Sequence, residues 1–356
     1  MKNTEANITL YNIDRCGYFS RSSTEALFCS PTDLLNELKN WAQNKNLAET
    51  ALHNSDDKNE YDIPPVYLFD IQNKDSVWII SSWNEVPSTE AGVPSISKTS
   101  KVGNAKIHSN QIVDNTIPGY PTYFCFFPEK KLFGTICFKQ RVNGQQGLKG
   151  YLNNFLTYKN DRYIQKEIKT DSDGIECTIN NYINPYGDTP EDFIYPRYET
   201  KLYKKQGNEK FLLRNVSKIN KIITRKTITI EHDSEVQNLQ SKVSTALRFL
   251  TGIPEESLPN FQSQRFESIF DIYFETPSKL QSIINSWYDQ ANDTYNDYGF
   301  KLTGDSQNIH WLSSSMAKNK FLFNLSLDEN GIVSAESLLQ EVIRYKEQIL
   351  RLQYEK

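Results

Sequence analysis

Three residues near the middle of the chain have the types and spacing that metal-dependent nucleases use. Glu199 and Lys201 form a Glu-x-Lys pair on a predicted strand, and an acid, Asp192 or Asp188, precedes them. In such sites two carboxylates hold Mg²⁺ and the lysine steadies the attacking water. Short coincidences of this kind are common in a chain rich in Lys and Glu. This strand therefore has two interpretations. The minority one is a metal-dependent nuclease site, and the other is an exposed strand of alternating residues.

The segment 201–226 carries the strongest charge signal of the chain. It holds nine basic residues against one acid, Glu209, so its net charge is +8 in a chain whose total is −4. Basic side chains that neutralise phosphates release counterions, which gives salt-dependent binding with little sequence preference. If 201–203 and 222–230 are strands, alternate residues line one surface. The candidate DNA-binding residues are Lys201, Lys204, Lys205, Lys210, Arg214, Lys218, Lys221, Arg225 and Lys226.

This charge segregation predicts a polyanion partner, and we expect double-stranded DNA. A solvated basic strand pair that faces the protein's own acids remains the alternative. Other chemistry lacks its signatures: the four histidines are far apart, and the sequence has no GxSxG, Walker or HExxH motif. The glycine-rich stretch 144–150 favours a tight strand-to-helix connection over a phosphate loop. We expect no cofactor and no resident metal.

Length and composition predict a cytoplasmic protein of two domains. The chain has 356 residues and no apolar run as long as a bilayer span, and its polar start lacks the apolar core of a signal peptide. Its five cysteines are odd in number, and no two are spaced as CxxC. This usage is typical of buried thiols in a reducing compartment.

The predicted elements indicate an α+β protein with two lobes, each built from a mainly antiparallel sheet and packed helices. Residues 1–160 form the first lobe, with a helix capped by Ser30 and hairpins at 66–81 and 123–138. Both faces of the second hairpin are apolar, which is typical of a central hairpin covered on both sides. Residues 161–356 form the second lobe, with strands, a helix from about 234 to 252 and another from 277 to 291.

The last predicted helix, 334–354, has apolar residues at heptad spacing. Two or three heptads are short for a coiled coil, so the helix either pairs with a second copy or packs on its own domain. The first alternative predicts a homodimer. Its interface residues would be Leu338, Val342, Tyr345, Ile349 and Leu352.

The order of these elements resembles the Rex exclusion protein A family of lambdoid prophages. The likeness includes the entry Gly119-Tyr120-Pro121-Thr122-Tyr123 into the second hairpin, the run 268–272 before a helix, and the turn Asn330-Gly331 before the serine-capped last helix. It covers most of the chain as a pattern of elements, with extra length at 53–63, 86–112 and 160–200.

The resemblance implies an antiviral role in phage exclusion, or abortive infection. It implies a cytoplasmic homodimer that binds DNA without strong sequence preference and signals to a membrane effector encoded nearby. It carries over no catalytic residue, so a protein that is not an enzyme is expected. A protein-binding adaptor without any nucleic-acid role remains a further alternative.

Overall fold

The computed structural model describes residues 1–21, 23–52, 65–86, 93–105, 107–108, 115–138, 144–171, 174–188, 193–204, 206–229, 263–290 and 295–353. Antiparallel sheets combine with several helices in these stretches, which confirms the predicted α+β class. The predicted helix at 234–252 lies outside the described residues. The chain divides into two compact units: unit 1 comprises residues 1–203 with 317–355, and unit 2 comprises residues 204–316.

Unit 1 is built around one large sheet with the strand order β10-β1-β7-β6-β3-β2. The long first strand pairs with β7 and β10, and its N-terminal half also pairs with β15. A separate two-stranded sheet joins β8 and β9. The strands of unit 1 are β1 (Lys2–Ser20), β2 (Val66–Lys74), β3 (Val77–Glu85), β4 (Ser95–Ser97), β5 (Ile107–His108), β6 (Thr116–Phe127), β7 (Leu132–Cys137), β8 (Ile164–Asp171), β9 (Gly174–Tyr182), β10 (Ile194–Leu202) and β15 (Lys318–Leu325).

The helices of unit 1 begin where the sequence carries capping residues. Ser30 accepts a hydrogen bond from the Asp33 N–H, and Asp33 accepts one from the Ser30 N–H, which forms a complete capping box. Ser334 likewise accepts from the Ser337 N–H at the start of α5. The helices are α1 (Pro31–Ala42), α2 (Gln145–Asn154, continued by a π turn over Phe155–Lys159), α5 (Ala335–Arg344) and α6 (Lys346–Arg351).

The central hairpin of the sheet, β6 and β7, is covered on both faces, as predicted. Tyr123 and Cys125 point to the face where the C-terminal helices pack. Phe124 and Phe126 point the opposite way and are also buried. The apolar character of both faces therefore reflects core packing and leaves no exposed aromatic surface on this hairpin.

The last helix does not present a dimer interface. It is two short helices, α5 and α6, and the side chains predicted to pair with a second copy point into unit 1 itself. Leu338, Val342, Ile349 and Leu352 belong to the buried core, and the half-buried Tyr345 packs on Phe321 and Phe323. Apolar side chains that already fill one core cannot also cover a partner, so a homodimer, which stays a prediction, must use another surface.

In its described residues, unit 2 is a four-stranded antiparallel sheet of order β12-β11-β13-β14 with two helices. Its elements are α3 (Gln206–Arg214), β11 (Ile219–Thr229), β12 (Ser263–Asp271), α4 (Pro277–Gln290), β13 (Tyr295–Leu302) and β14 (Asp305–Trp311). Its buried core draws on both helices and the sheet. The core residues are Leu212, Ile219, Ile222, Ile223, Leu280, Ile284, Trp287, Phe300, Leu302 and Leu312.

Along the chain, unit 2 lies between strands β10 and β15 of unit 1. These two strands lie one after the other along the same edge of β1. At their junction the Tyr203 N–H donates to the Leu10 carbonyl (2.9 Å), and the Leu10 N–H donates to the Ala317 carbonyl (2.9 Å). The chain thus leaves and re-enters unit 1 at adjacent positions. This differs from the expected boundary after residue 160, because β10 and the C-terminal helices belong to the first unit.

Candidate nucleic-acid interface

The predicted DNA-binding residues are divided between the two units. Lys201 lies on β10 of unit 1, which pairs with β1, whereas Lys221, Arg225 and Lys226 lie on β11 of unit 2, which pairs with β12 and β13. Lys205 lies outside the described residues. The strands expected at 201–203 and 222–230 belong to different sheets, so strand alternation does not by itself align their cations, and a shared binding face stays a prediction.

Three of the predicted cations already have acidic partners. The Lys201 ammonium lies 2.6 Å from Asp14, and the Lys221 ammonium lies 2.6 Å from Asp271. The Arg225 guanidinium donates to Glu267 across the strand pair (2.8 Å). A phosphate that approached these residues would have to compete with a carboxylate already in place. These three contribute less to polyanion binding than the charge count suggested.

Arg225 has a structural environment that explains its position. Its guanidinium carbon lies 3.6 Å from the centroid of the Trp311 ring, a close cation–π contact. On the neighbouring strand Arg225 is opposite Asp297. Gly299 gives the tryptophan its room, because a Cβ at that position would lie 2.9 Å from the ring. Arg225 therefore links three strands of the unit 2 sheet.

The Asp297 carboxylate completes this cluster. One of its oxygens accepts the Ser313 N–H (3.0 Å), and the other accepts the Ser313 hydroxyl. Burial raises the pKa of Asp297 above its ordinary value, although the Ser313 hydrogen bonds and the charge of Arg225 act in the opposite direction. Asp297 is thus a second acidic group beside Arg225, in addition to Glu267, which leaves this arginine less available to a ligand.

The remaining described cations lie mainly on helix α3 and the turn that follows it. Lys210, Arg214 and Lys218 recur every four residues and are exposed, and we call them the α3 strip. The opposite side of the helix is anchored by the buried Leu212. Arg214 and Lys218 form no ion pair within the part of the chain that the structure describes.

The nuclease interpretation gains no geometric support. Asp192 lies outside the described residues, and the Glu199 carboxylate lies 3.9 Å from the Arg15 guanidinium. Lys201 is paired with Asp14. Across the described stretches, no three His, Cys, Asp or Glu side chains come together in a group that could hold a metal ion.

The glycine-rich stretch 144–150 is the N-cap and the first turns of helix α2, and residues 139–143, which connect it to β7, lie outside the described residues. Gly144 has a left-handed backbone, with φ of 66°, and its Cβ position would lie 2.7 Å from the Thr122 hydroxyl. Only glycine fits both constraints. The close approach of Thr122 therefore accounts for this glycine without any bound phosphate.

Unit 1 contains a second group of cations that was not predicted from the sequence. On β1 and β10 the side chains of Arg15, Phe19, Tyr195 and Arg197 form a continuous stack, and Arg21 lies over Phe193 beside it. We call these six residues the arginine–aromatic stack. The only signal in the sequence was the alternation of Arg and aromatic residues in each strand. The pairing of strands about 180 residues apart, which joins them, was not predicted.

The described residues include no helix with the length and apolar character that a membrane span requires. No family model, no curated protein and no solved structure matches the chain. The resemblance to the Rex exclusion protein A family therefore stays a prediction.

Proposed function

We propose that the protein binds double-stranded DNA with little sequence preference, through the α3 strip of unit 2. The proposal rests on three exposed cations close together in the chain, Lys210 and Arg214 on α3 and Lys218 in the turn after it, with no ion pair on Arg214 or Lys218 among the described residues. Residues four apart on a helix are neighbours on one side of it, so Lys210 and Arg214 can reach successive phosphates together, and Lys218 adds a third charge just beyond the helix.

The expected binding is electrostatic. Each phosphate neutralised contributes about −0.9 to the slope of log K against log salt, so three contacts predict a slope of roughly −3. Contacts to phosphates position a protein on DNA and carry no base information. Weak sequence preference therefore follows from the chemistry of the strip itself.

The biological role that we propose is antiviral, in phage exclusion or abortive infection. Binding to DNA would be the sensing step of a cytoplasmic protein that acts as a homodimer and signals to a membrane effector encoded nearby. This part rests on the resemblance in the order of elements alone. It assigns no enzymatic step to the chain.

A mobility shift over a salt series tests the proposal. The double variant Arg214→Gln/Lys218→Gln removes two charges from the α3 strip. The matched control, Lys221→Gln/Lys279→Gln, removes two charges from unit 2 that are already paired with Asp271 and Glu275. We expect the strip variant to bind a duplex roughly 10- to 100-fold more weakly and to lower the magnitude of the salt slope by about 2.

The control variant should bind nearly as well as the unmodified protein. Equal losses in the two variants would contradict the proposal, because binding would then follow total charge. A chain that dimerises yet shifts no DNA at any salt concentration would instead support the adaptor alternative. Cutting of a plasmid in Mg²⁺ that disappears in Glu199→Ala would support the nuclease alternative.

A further inference from the structure

The arginine–aromatic stack is a continuous pile of flat groups on unit 1. The guanidinium carbon of Arg15 lies 5.6 Å from the centroid of the Phe19 ring. Phe19 stacks on Tyr195, with centroids 6.1 Å apart and ring planes 26° apart. The guanidinium carbon of Arg197 lies 5.5 Å from the centre of Tyr195. Two aromatic rings therefore separate two arginines.

Strand register places these groups on one face of the sheet. Phe19 is opposite Tyr195, and Gly17 is opposite Arg197. Residues two apart on a strand share a face, so all of these positions point the same way. Gly17 contributes no side chain beside Arg197, and its own Cβ position is blocked by the carbonyl oxygen of Cys29 at 2.4 Å. The segment 28–29 therefore covers the face at Gly17, which is buried, whereas Arg197 opposite it is exposed.

A second pair extends this surface past the last residues of the strand pair. Ser20 pairs with Ile194, and Arg21 and Phe193 are the next residue after and the last residue before this pair. The Arg21 guanidinium carbon lies 5.1 Å from the centroid of the Phe193 ring. Phe193 is 64 % exposed, so its ring is accessible beside this arginine.

Burial divides the stack into a support and an outer layer. Phe19 is 2 % exposed and Tyr195 is half-buried, so these rings are fixed in the protein. Arg21, Arg197 and Phe193 are exposed. Arg15 lies 3.9 Å from Glu199, whereas Arg21 and Arg197 form no ion pair within the described part of the chain. The exposed outer layer therefore consists of the Phe193 ring and of two arginines, Arg21 and Arg197, each packed against an aromatic ring.

We propose that the arginine–aromatic stack binds single-stranded nucleic acid. Unpaired bases stack on aromatic rings and on guanidinium planes, and the same arginines neutralise the phosphates between them. A duplex keeps its bases stacked on one another and has no face to offer Phe193. An acidic peptide could pair with the arginines but has no flat groups for the ring. The combination of exposed ring and supported guanidinium groups favours a single strand.

This site lies in unit 1 and takes a different ligand from the α3 strip, so it goes beyond the proposed function. The test uses the full chain carrying Arg214→Gln/Lys218→Gln, in which the α3 strip is already weakened. Fluorescence anisotropy then measures binding of a labelled 20-nucleotide oligo(dT) and of a duplex of the same length. The reading on oligo(dT) therefore does not depend on the outcome for the α3 strip.

Three variants at position 193 separate stacking from simple apolar contact. We expect Phe193→Leu to weaken oligo(dT) binding roughly 5- to 100-fold, since a base–aromatic stack of ~1–3 kcal/mol is lost. Phe193→Ala should lose at least as much, and Phe193→Trp should bind as well as phenylalanine or better. Because the side chain is mostly exposed, none of these changes removes core packing.

The double variant Arg21→Gln/Arg197→Gln tests the cationic part of the site. We expect a loss of at least tenfold on oligo(dT) and a shallower salt dependence. The matched control Lys130→Gln/Arg351→Gln removes two charges from exposed positions elsewhere on unit 1 and should change binding less than twofold. The proposal is overturned if the Arg214→Gln/Lys218→Gln background fails to bind oligo(dT), if Phe193→Leu binds like phenylalanine, or if polyglutamate competes as well as oligo(dT).

Discussion

Two arginine–aromatic contacts in this protein have the same chemistry and opposite surroundings. In unit 2, Arg225 lies on Trp311, donates to Glu267 and is opposite Asp297. In unit 1, Arg197 lies on Tyr195 and forms no ion pair among the described residues. An arginine on a ring is therefore structural when carboxylates neutralise it, and available to an anionic ligand when they do not.

The same distinction separates the two ends of the basic segment. Lys221 and Arg225 on β11 have acidic partners on β12, whereas Arg214 and Lys218 around the end of α3 have none among the described residues. A helix surface has no neighbouring strand to supply an opposite charge. A strand inside a sheet has one on each side, and cross-strand pairing selects opposite charges.

Excision of unit 2 should have the largest effect on nucleic-acid binding. Replacing residues 205–315 with a short Gly-Ser link should abolish duplex binding, because the α3 strip is removed. Unit 1 should stay folded, since Tyr203 and Ala317 already share hydrogen bonds with Leu10. Oligo(dT) binding should persist. Circular dichroism and anisotropy measure both outcomes, and an unfolded product would contradict the insertion architecture.

The packing of Trp311 against Arg225 can be disturbed by a substitution at Gly299. In Gly299→Ala the new methyl group would lie 2.5 Å from Ile309 and 2.9 Å from the Trp311 ring. We expect unit 2 to lose about 1–3 kcal/mol of stability in urea unfolding. The control Gly150→Ala, on helix α2 with no neighbouring atom within 4 Å, should gain about 0.4–1 kcal/mol. Equal effects would argue against the Trp311 packing.

Matched substitutions at the two arginines should separate stability from binding. Arg225→Gln leaves Asp297 and Glu267 without their cation, and we expect a loss of about 1 kcal/mol with duplex binding nearly unchanged. Arg197→Gln should change stability by less than about 0.5 kcal/mol, as exposed substitutions usually do, yet weaken oligo(dT) binding. Thermal unfolding and anisotropy on both variants give the comparison. The reverse pattern would contradict it.

Asp297 predicts a small pH effect confined to unit 2. Burial raises its pKa above the ordinary value of 3.8, so the folded state holds the proton more tightly than the unfolded state. Its contribution to stability is therefore present below about pH 3.8 and is lost as the pH rises through the folded pKa. We measure the urea midpoint of unfolding for the unmodified protein and for Asp297→Asn at each pH. The difference between the two midpoints, unmodified minus variant, should decrease as the pH rises through this window. A difference that grows with pH would contradict the assignment.

Local patterns in the sequence predicted much of unit 1. The Ser30 capping box and the hairpin of β2 and β3 are encoded by residues close together in the chain, and both are present. Strands β13 and β14 of unit 2 were not predicted, because polar residues and Gly299 interrupt their apolar alternation. Heptad spacing at the C-terminus was ambiguous, because a dimer interface and a helix packed on its own sheet need the same apolar stripe.

The candidate sites depended on contacts that local patterns do not encode. Lys221 meets Asp271 across 50 residues, and Arg225 meets Glu267 across 42. A count of basic residues along 201–226 includes these cations, although acids outside the segment already neutralise them. The stack that joins Phe19 to Tyr195 depends on the pairing of β1 with β10, which no short-range signal indicated. Charge in the sequence therefore located the right region but not the available cations.

The central claim is that two separate surfaces bind two forms of nucleic acid. The most direct test measures duplex and oligo(dT) affinity for two variants of the full chain, Arg214→Gln/Lys218→Gln and Arg21→Gln/Arg197→Gln. We predict that the first loses duplex binding and keeps oligo(dT) binding, and that the second does the reverse, each by at least roughly tenfold. Equal weakening of both ligands in both variants would contradict the account.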